Sequence, residues 1–174
     1  MTTTTIEATT TGAHLVSAMD AGYQLVMQMV DGFDDTTCST APAPHQPLVW
    51  FLGHLTCAKD YFNTLHQGMA KAVTEEFSDN FADGAQTDFS IVPPLAEMVG
   101  LYQETHRTIT DFLAQLGPED LTRRCVIEPD PNLAEYAAPF MVLGDAIALT
   151  QLHDCFHAGQ MAQMRRALGM TSPV

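Results

Sequence analysis

Four stretches of the chain carry apolar residues at three- and four-residue steps, the period of a helix that buries one face. In the first, Leu15, Met19, Tyr23, Val26, Val30 and Phe33 recur in this way. They predict a helix over about 13–31, with Thr11 or Gly12 as its cap. In the second, Phe51, Leu55, Ala58, Phe62 and Leu65 predict a helix over about 47–68, with Pro47 in its first turn. The third, marked by Leu95, Met98, Tyr102, Ile109, Phe112 and Leu116, is expected over about 94–116, where Gly117-Pro118 ends it. The fourth is expected over about 141–168, from Leu143, Ile147, Thr150, His157, Met161, Met164 and Leu168. It closes with Arg165 and Arg166 in the last turn, Gly169 beyond and Pro173 shortly after.

Between these stretches the pattern lapses. Pro42, Pro44 and Pro47 make the first connection a loop. Residues 69–93 are acidic and small, with at most a short helical turn. A connection of about 20 residues exceeds what neighbouring antiparallel helices need, and it can cross the end of a bundle and return the chain parallel to the second helix. Residues 118–139 form a second long loop, opening with a helical turn at 118–122 and kept irregular by Pro129, Pro131 and Pro139. No strand alternation is present, so the expectation is an all-α bundle. It forms a single domain over 13–170, after a frayed Thr-rich leader at 1–12.

Composition narrows what such a bundle does. At 174 residues and 46% hydrophobic it can bury one proper core. Its formal net charge of −14 argues against nucleic acid and anionic lipid as partners and fits a small-molecule substrate or a metal cation. The leader lacks the basic and apolar segments of a signal peptide, and no apolar run reaches the roughly 18 residues of a membrane span. Cys38, Cys57, Cys125 and Cys155 show no paired spacing, and read as reduced thiols of a cytoplasmic protein. Met27 and Met29 lie about 200° apart on the first helix, so one of them is expected to mark the surface of a homodimer.

The candidate chemistry lies in histidines. His153 and His157 are four apart, stacked on one helix face, and two imidazoles turned toward a bundle interior are costly unless their nitrogens are satisfied. A divalent metal does that but needs a third donor from another helix. His54 alone among the remaining histidines is well inside a helix and on its apolar side. His45 and His66 fall in or near loops, His14 near a helix start, and His106 beside Arg107 on a polar face. Ordinary buried histidines, hydrogen-bonded to backbone or water, satisfy the same pattern. Gln160 shares the face of His153 and could bond a substrate or a water at the metal, and Asp154 could orient His157. Tyr61, two turns past His54, is a candidate contact for a bound cofactor. Cys155 should point away from the pair, whereas Cys57, about 60° round from His54, is a possible fourth donor or a core thiol. The string HDxxH departs from the zinc-protease HExxH, its glutamate replaced by the shorter Asp154, and no ExxH pair exists for a di-iron centre.

Phe51-Leu52-Gly53-His54-Leu55 after Trp50, together with His153-xxx-His157-Ala158-Gly159-Gln160 running into Arg165-Arg166-Ala167-Leu168-Gly169, resembles the DinB/YfiT-like superfamily. The resemblance spans essentially the whole chain. It implies a four-helix bundle in up-down-down-up order, with the long crossover between helices two and three. It also implies a divalent metal, zinc or nickel, held by His54, His153 and His157. The activity it implies is that of a thiol-dependent transferase or isomerase using a low-molecular-weight thiol such as mycothiol, bacillithiol or glutathione. The competing expectation is a non-catalytic, stress-associated metal-binding bundle, and a third is a small-molecule binding module.

Overall fold

The computed structural model describes residues 10–129 and 137–173. The leader up to residue 9, and residues 130–136 of the second loop, lie outside the described part. Among the described residues the chain forms four main helices, α1 (Thr11–Val30), α2 (Leu48–Gln67), α4 (Leu95–Leu113) and α5 (Leu143–Ala167). A short α3 (Glu75–Asn80) falls inside the crossover between α2 and α4, where the sequence allows one turn of helix. The main helices pack as a bundle, α1 chiefly on α5 and α2 chiefly on α4, with α2 also on α5 and α1 on α4.

The helix ends differ from expectation for local reasons. The cap of α1 is Thr10, whose hydroxyl accepts from the Ala13 amide at 3.2 Å, rather than Thr11 or Gly12. α4 stops at Leu113, because the amides of Gln115 and Leu116 bond three residues back, to Phe112 and Leu113, and tighten the last turn. α5 begins at Leu143, two residues late. Arg124 and Val142 form an antiparallel bridge, with the Cys125 amide donating to the Met141 carbonyl at 3.0 Å, and this holds Val142 extended. The expected turn at 118–122 is a 3₁₀ turn, Pro118–Thr122.

α2 is the centre of the molecule. The expected stripe of Phe51, Leu55, Phe62 and Leu65 is buried, but so are Lys59, Asp60, Asn63 and His66 on its other sides. Each of these polar groups has a partner. Asp60 accepts from the Ala72 amide at 2.8 Å, Asn63 donates to the Thr105 carbonyl at 3.3 Å, and the ammonium of Lys59 meets Asp154 at 2.7 Å. The α3 segment covers one side of α2. The edge 126–127 covers its end, both of those amides donating to the Leu65 carbonyl. At the far end of the bundle Arg165, 5% exposed, donates to the carbonyls of Met29 and Asp31 and so ties the C-terminus of α5 to that of α1. Midway along the two helices Gly22 lets α1 and α5 approach, since a Cβ at that position lies 3.1 Å from the Cβ of Asp154. Leu168, expected on the buried stripe of α5, is 38% exposed because the helix has ended before it.

Candidate metal centre

α2 brings His54, and α5 brings His153 and His157, to one place. The Nε2 atoms of His54 and His153 are 3.1 Å apart, those of His157 and His153 2.9 Å, and the three ligand atoms all fall within 4.8 Å of one another. The ring faces are fixed from behind. Nδ1–H of His54 donates to the Phe81 carbonyl at 3.0 Å, and Nδ1–H of His157 donates to Oε1 of Gln160 at 2.6 Å. Trp50, one turn before His54, stacks on its ring with centroids 4.7 Å apart and planes 9° apart.

The donor set fits a divalent cation. With Nδ1 protonated on His54 and His157, their Nε2 atoms carry bare lone pairs. His153 can give a proton to at most one of them, so at least one bare Nε2 lies against another nitrogen with no proton between them, two electron-rich atoms in contact. A cation removes that repulsion, and a tetrahedral zinc with bonds of about 2.0–2.1 Å spaces its nitrogens about 3.3 Å apart, close to the spacing here. Burial and the neighbouring imidazoles also keep His153 and His157 neutral. Desolvation first, then His157 and His54, push the pKa of His153 down to about 3, and desolvation and His54 push that of His157 down to about 4.

Two pockets meet at this cluster. The larger, of 580 Å³, is lined by all three histidines together with Trp50, Gln160 and Gln163, among others. The indole Nε1 of Trp50 is buried and has no hydrogen-bond partner among the described residues. The smaller, of 470 Å³, shares His54, His153 and Asp83 with the larger, and its remaining wall includes Tyr61, Phe81, Phe140 and Leu149.

The other sequence candidates go elsewhere. Asp154 does not orient His157. It turns into the core to pair with Lys59, both 1% exposed, and the job falls to Gln160. Cys57 lines the smaller pocket, where burial pushes its thiol up to about 12 and leaves it protonated and a poor donor. Cys155 lies toward α1, its sulfur 3.6 Å from where a Gly22 Cβ sits. His106 is not on a polar face. It is 5% exposed, stacked on Tyr23 at 4.0 Å and bonded through Nε2 to Asp20 at 2.8 Å. His66 is buried too and donates to the Phe140 carbonyl at 2.9 Å. His45 lies on the rim of the larger pocket and His14 is exposed. The Phe81 carbonyl and the second pocket had no signal in the sequence, because backbone oxygens and loop-borne walls follow no residue pattern.

The fold has relatives among solved structures. A conserved protein from Enterococcus faecalis matches with a TM-score of 0.69 at 14% identity, over 93% of this chain and 99% of the other. A structural genomics protein from Streptococcus pneumoniae matches with a TM-score of 0.67 at 9% identity, over 94% and 95%. No curated protein matches the chain. Residues 18–161 match the family model described as the DinB superfamily.

Proposed function

The chain belongs to the DinB superfamily, and from that premise we propose that it is a metal-dependent thiol S-transferase acting on small electrophiles. The observation that carries this reading is the convergence of three Nε2 atoms on the wall of a 580 Å³ pocket. His54, His153 and His157 would hold zinc or nickel. A divalent ion there would supply Lewis acidity, lowering the pKa of a bound low-molecular-weight thiol so that thiolate is available at neutral pH. The thiol sulfur forms a bond to the electrophilic carbon, the leaving group departs with the bonding pair, and the thiol proton passes to solvent. Gln160 holds His157 in register and contacts the substrate from the same wall. Trp50 and Phe51 keep water off the inner side of the cluster. Among the described residues no lysine or arginine lines the larger pocket, which favours an uncharged thiol over one bearing carboxylates. Tyr61 contacts a bound molecule from the smaller pocket.

We read the helix order as up-down-down-up. Three sets of pairings support it: Arg165 with the end of α1, His54 with His157 while His66 meets Phe140, and Lys59 and Asn63 beside Tyr102 and Thr105. The cytoplasmic setting and the homodimer stay part of this proposal. No helix among the described residues is long and apolar enough to cross a membrane.

The test is metal analysis of protein purified without a histidine tag, followed by titration of Trp50 fluorescence. About one ion per chain, lost in a His153→Ala variant, and a further fluorescence change on adding thiol support the enzyme. Metal without any thiol response points to a bundle whose metal only secures the fold. No bound metal overturns both.

A further inference from the structure

The two pockets at the histidine cluster differ in chemistry, and the smaller one reaches only two of the three histidines. Ala58, Tyr61, Phe81, Phe140 and Leu149 give it carbon walls, with the rings of Tyr61 and Phe140 edge to face at 5.9 Å. Among the described residues its polar lining is Cys57, Ser78, Asp83, the Tyr61 hydroxyl and the two shared histidines, with no lysine or arginine. His157 and Gln160 line the larger pocket instead. A molecule in the smaller pocket therefore ends against His54 and His153 while its body lies between aromatic and aliphatic side chains. Asp83 at the shared edge, on a chain of net charge −14, opposes an anion.

We propose that the smaller pocket is a binding subsite for an uncharged apolar group, aromatic or branched aliphatic, and that it is where the electrophile's body sits while the thiol occupies the larger pocket. The assignment to an electrophile rests on the transferase reading; the subsite and its preference for neutral apolar groups do not. Pockets of this size and lining take most of a small ligand out of water, and the gain scales with the apolar area covered. The proposal makes Tyr61 a wall of the apolar site rather than a contact for the thiol.

The probe pair is N-phenyl-1-naphthylamine, which is neutral, and 8-anilinonaphthalene-1-sulfonate, the same ring system with an anionic group. Both are titrated by fluorescence against metal-loaded and metal-free protein. The neutral probe is expected to bind saturably, about tenfold or more tighter than the sulfonate, and Asp83→Asn should narrow that gap. Leu149→Trp, at a half-exposed position, fills the smaller pocket and should weaken the neutral probe about tenfold; Ala58→Leu on another wall should act in the same direction. Gln163→Trp, which crowds only the larger pocket, should leave it unchanged. Equal affinity for the two probes, or indifference to both Leu149→Trp and Ala58→Leu, overturns the subsite. Probe binding of the expected kind in a protein with no thiol activity keeps the subsite and removes the transferase.

Discussion

At the scale of single residues, the centre depends on how two imidazoles are held from behind. Gln160 is exposed on α5, yet its Oε1 receives the Nδ1 proton of His157 and thereby presents the bare Nε2 to the cluster. Gln160→Leu should therefore lower metal affinity about 10- to 100-fold with little change in the thermal midpoint of the metal-free protein. Competition with a chelator dye measures the first, and a denaturation curve the second. Unchanged affinity in that variant means the amide is only a surface group. The carboxylate next in sequence to His153 behaves otherwise. Asp154 is buried against Lys59, so removing one partner strands a charge in the core. Asp154→Ala or Lys59→Met alone should cost about 3–5 kcal/mol, while the double replacement Lys59→Met with Asp154→Leu should recover most of that loss. Urea denaturation of the three variants checks this, and a double variant as unstable as the singles contradicts it.

At the scale of elements, the crossover carries more than a connection. Phe81 caps the C-terminal end of α3, and its ring lies so close over α2 that a Cβ on Gly53 would clash with it. Phe81 is 1% exposed and has little room to move. The same residue's carbonyl orients His54, so glycine at position 53 couples the seating of the crossover to the direction of a ligand. Gly53→Ala is expected to displace Phe81, cost about 1–3 kcal/mol and loosen metal binding. Its signature is a change in the environment of Trp50, stacked on His54, visible in fluorescence before any metal is added. A variant with unaltered emission and affinity shows that the strap does not steer the histidine.

For the molecule as a whole, the buried imidazoles set how stability depends on pH. In the unfolded chain they take up protons as the pH falls through 6.5. In the folded metal-free protein His157 waits until about 4 and His153 until about 3, and burial holds His66 and His106 below their ordinary value as well. The unfolded state therefore binds more protons across that window, and stability falls as the pH drops below 6.5. Chelator-treated protein should melt several degrees lower near pH 5.5 than near pH 7.5, a difference that shrinks when His153 and His157 are both replaced by Gln. Equal midpoints at the two values contradict the burial argument.

The amino-acid sequence alone determined the four main helices and the pair of motifs, because apolar spacing and end signals are local. It also marked His54, His153 and His157, since each lies where a helix turns its inner face. It did not foresee that α2 is enclosed on nearly every side, which buried Lys59, Asn63 and His66 and drew Asp154 away from the cluster. Nor could it place His106 inside or supply the Phe81 carbonyl. Those outcomes depend on which helix lies against which, and on where a long connection comes to rest. Such contacts join residues tens of positions apart, and no periodicity along the chain encodes them.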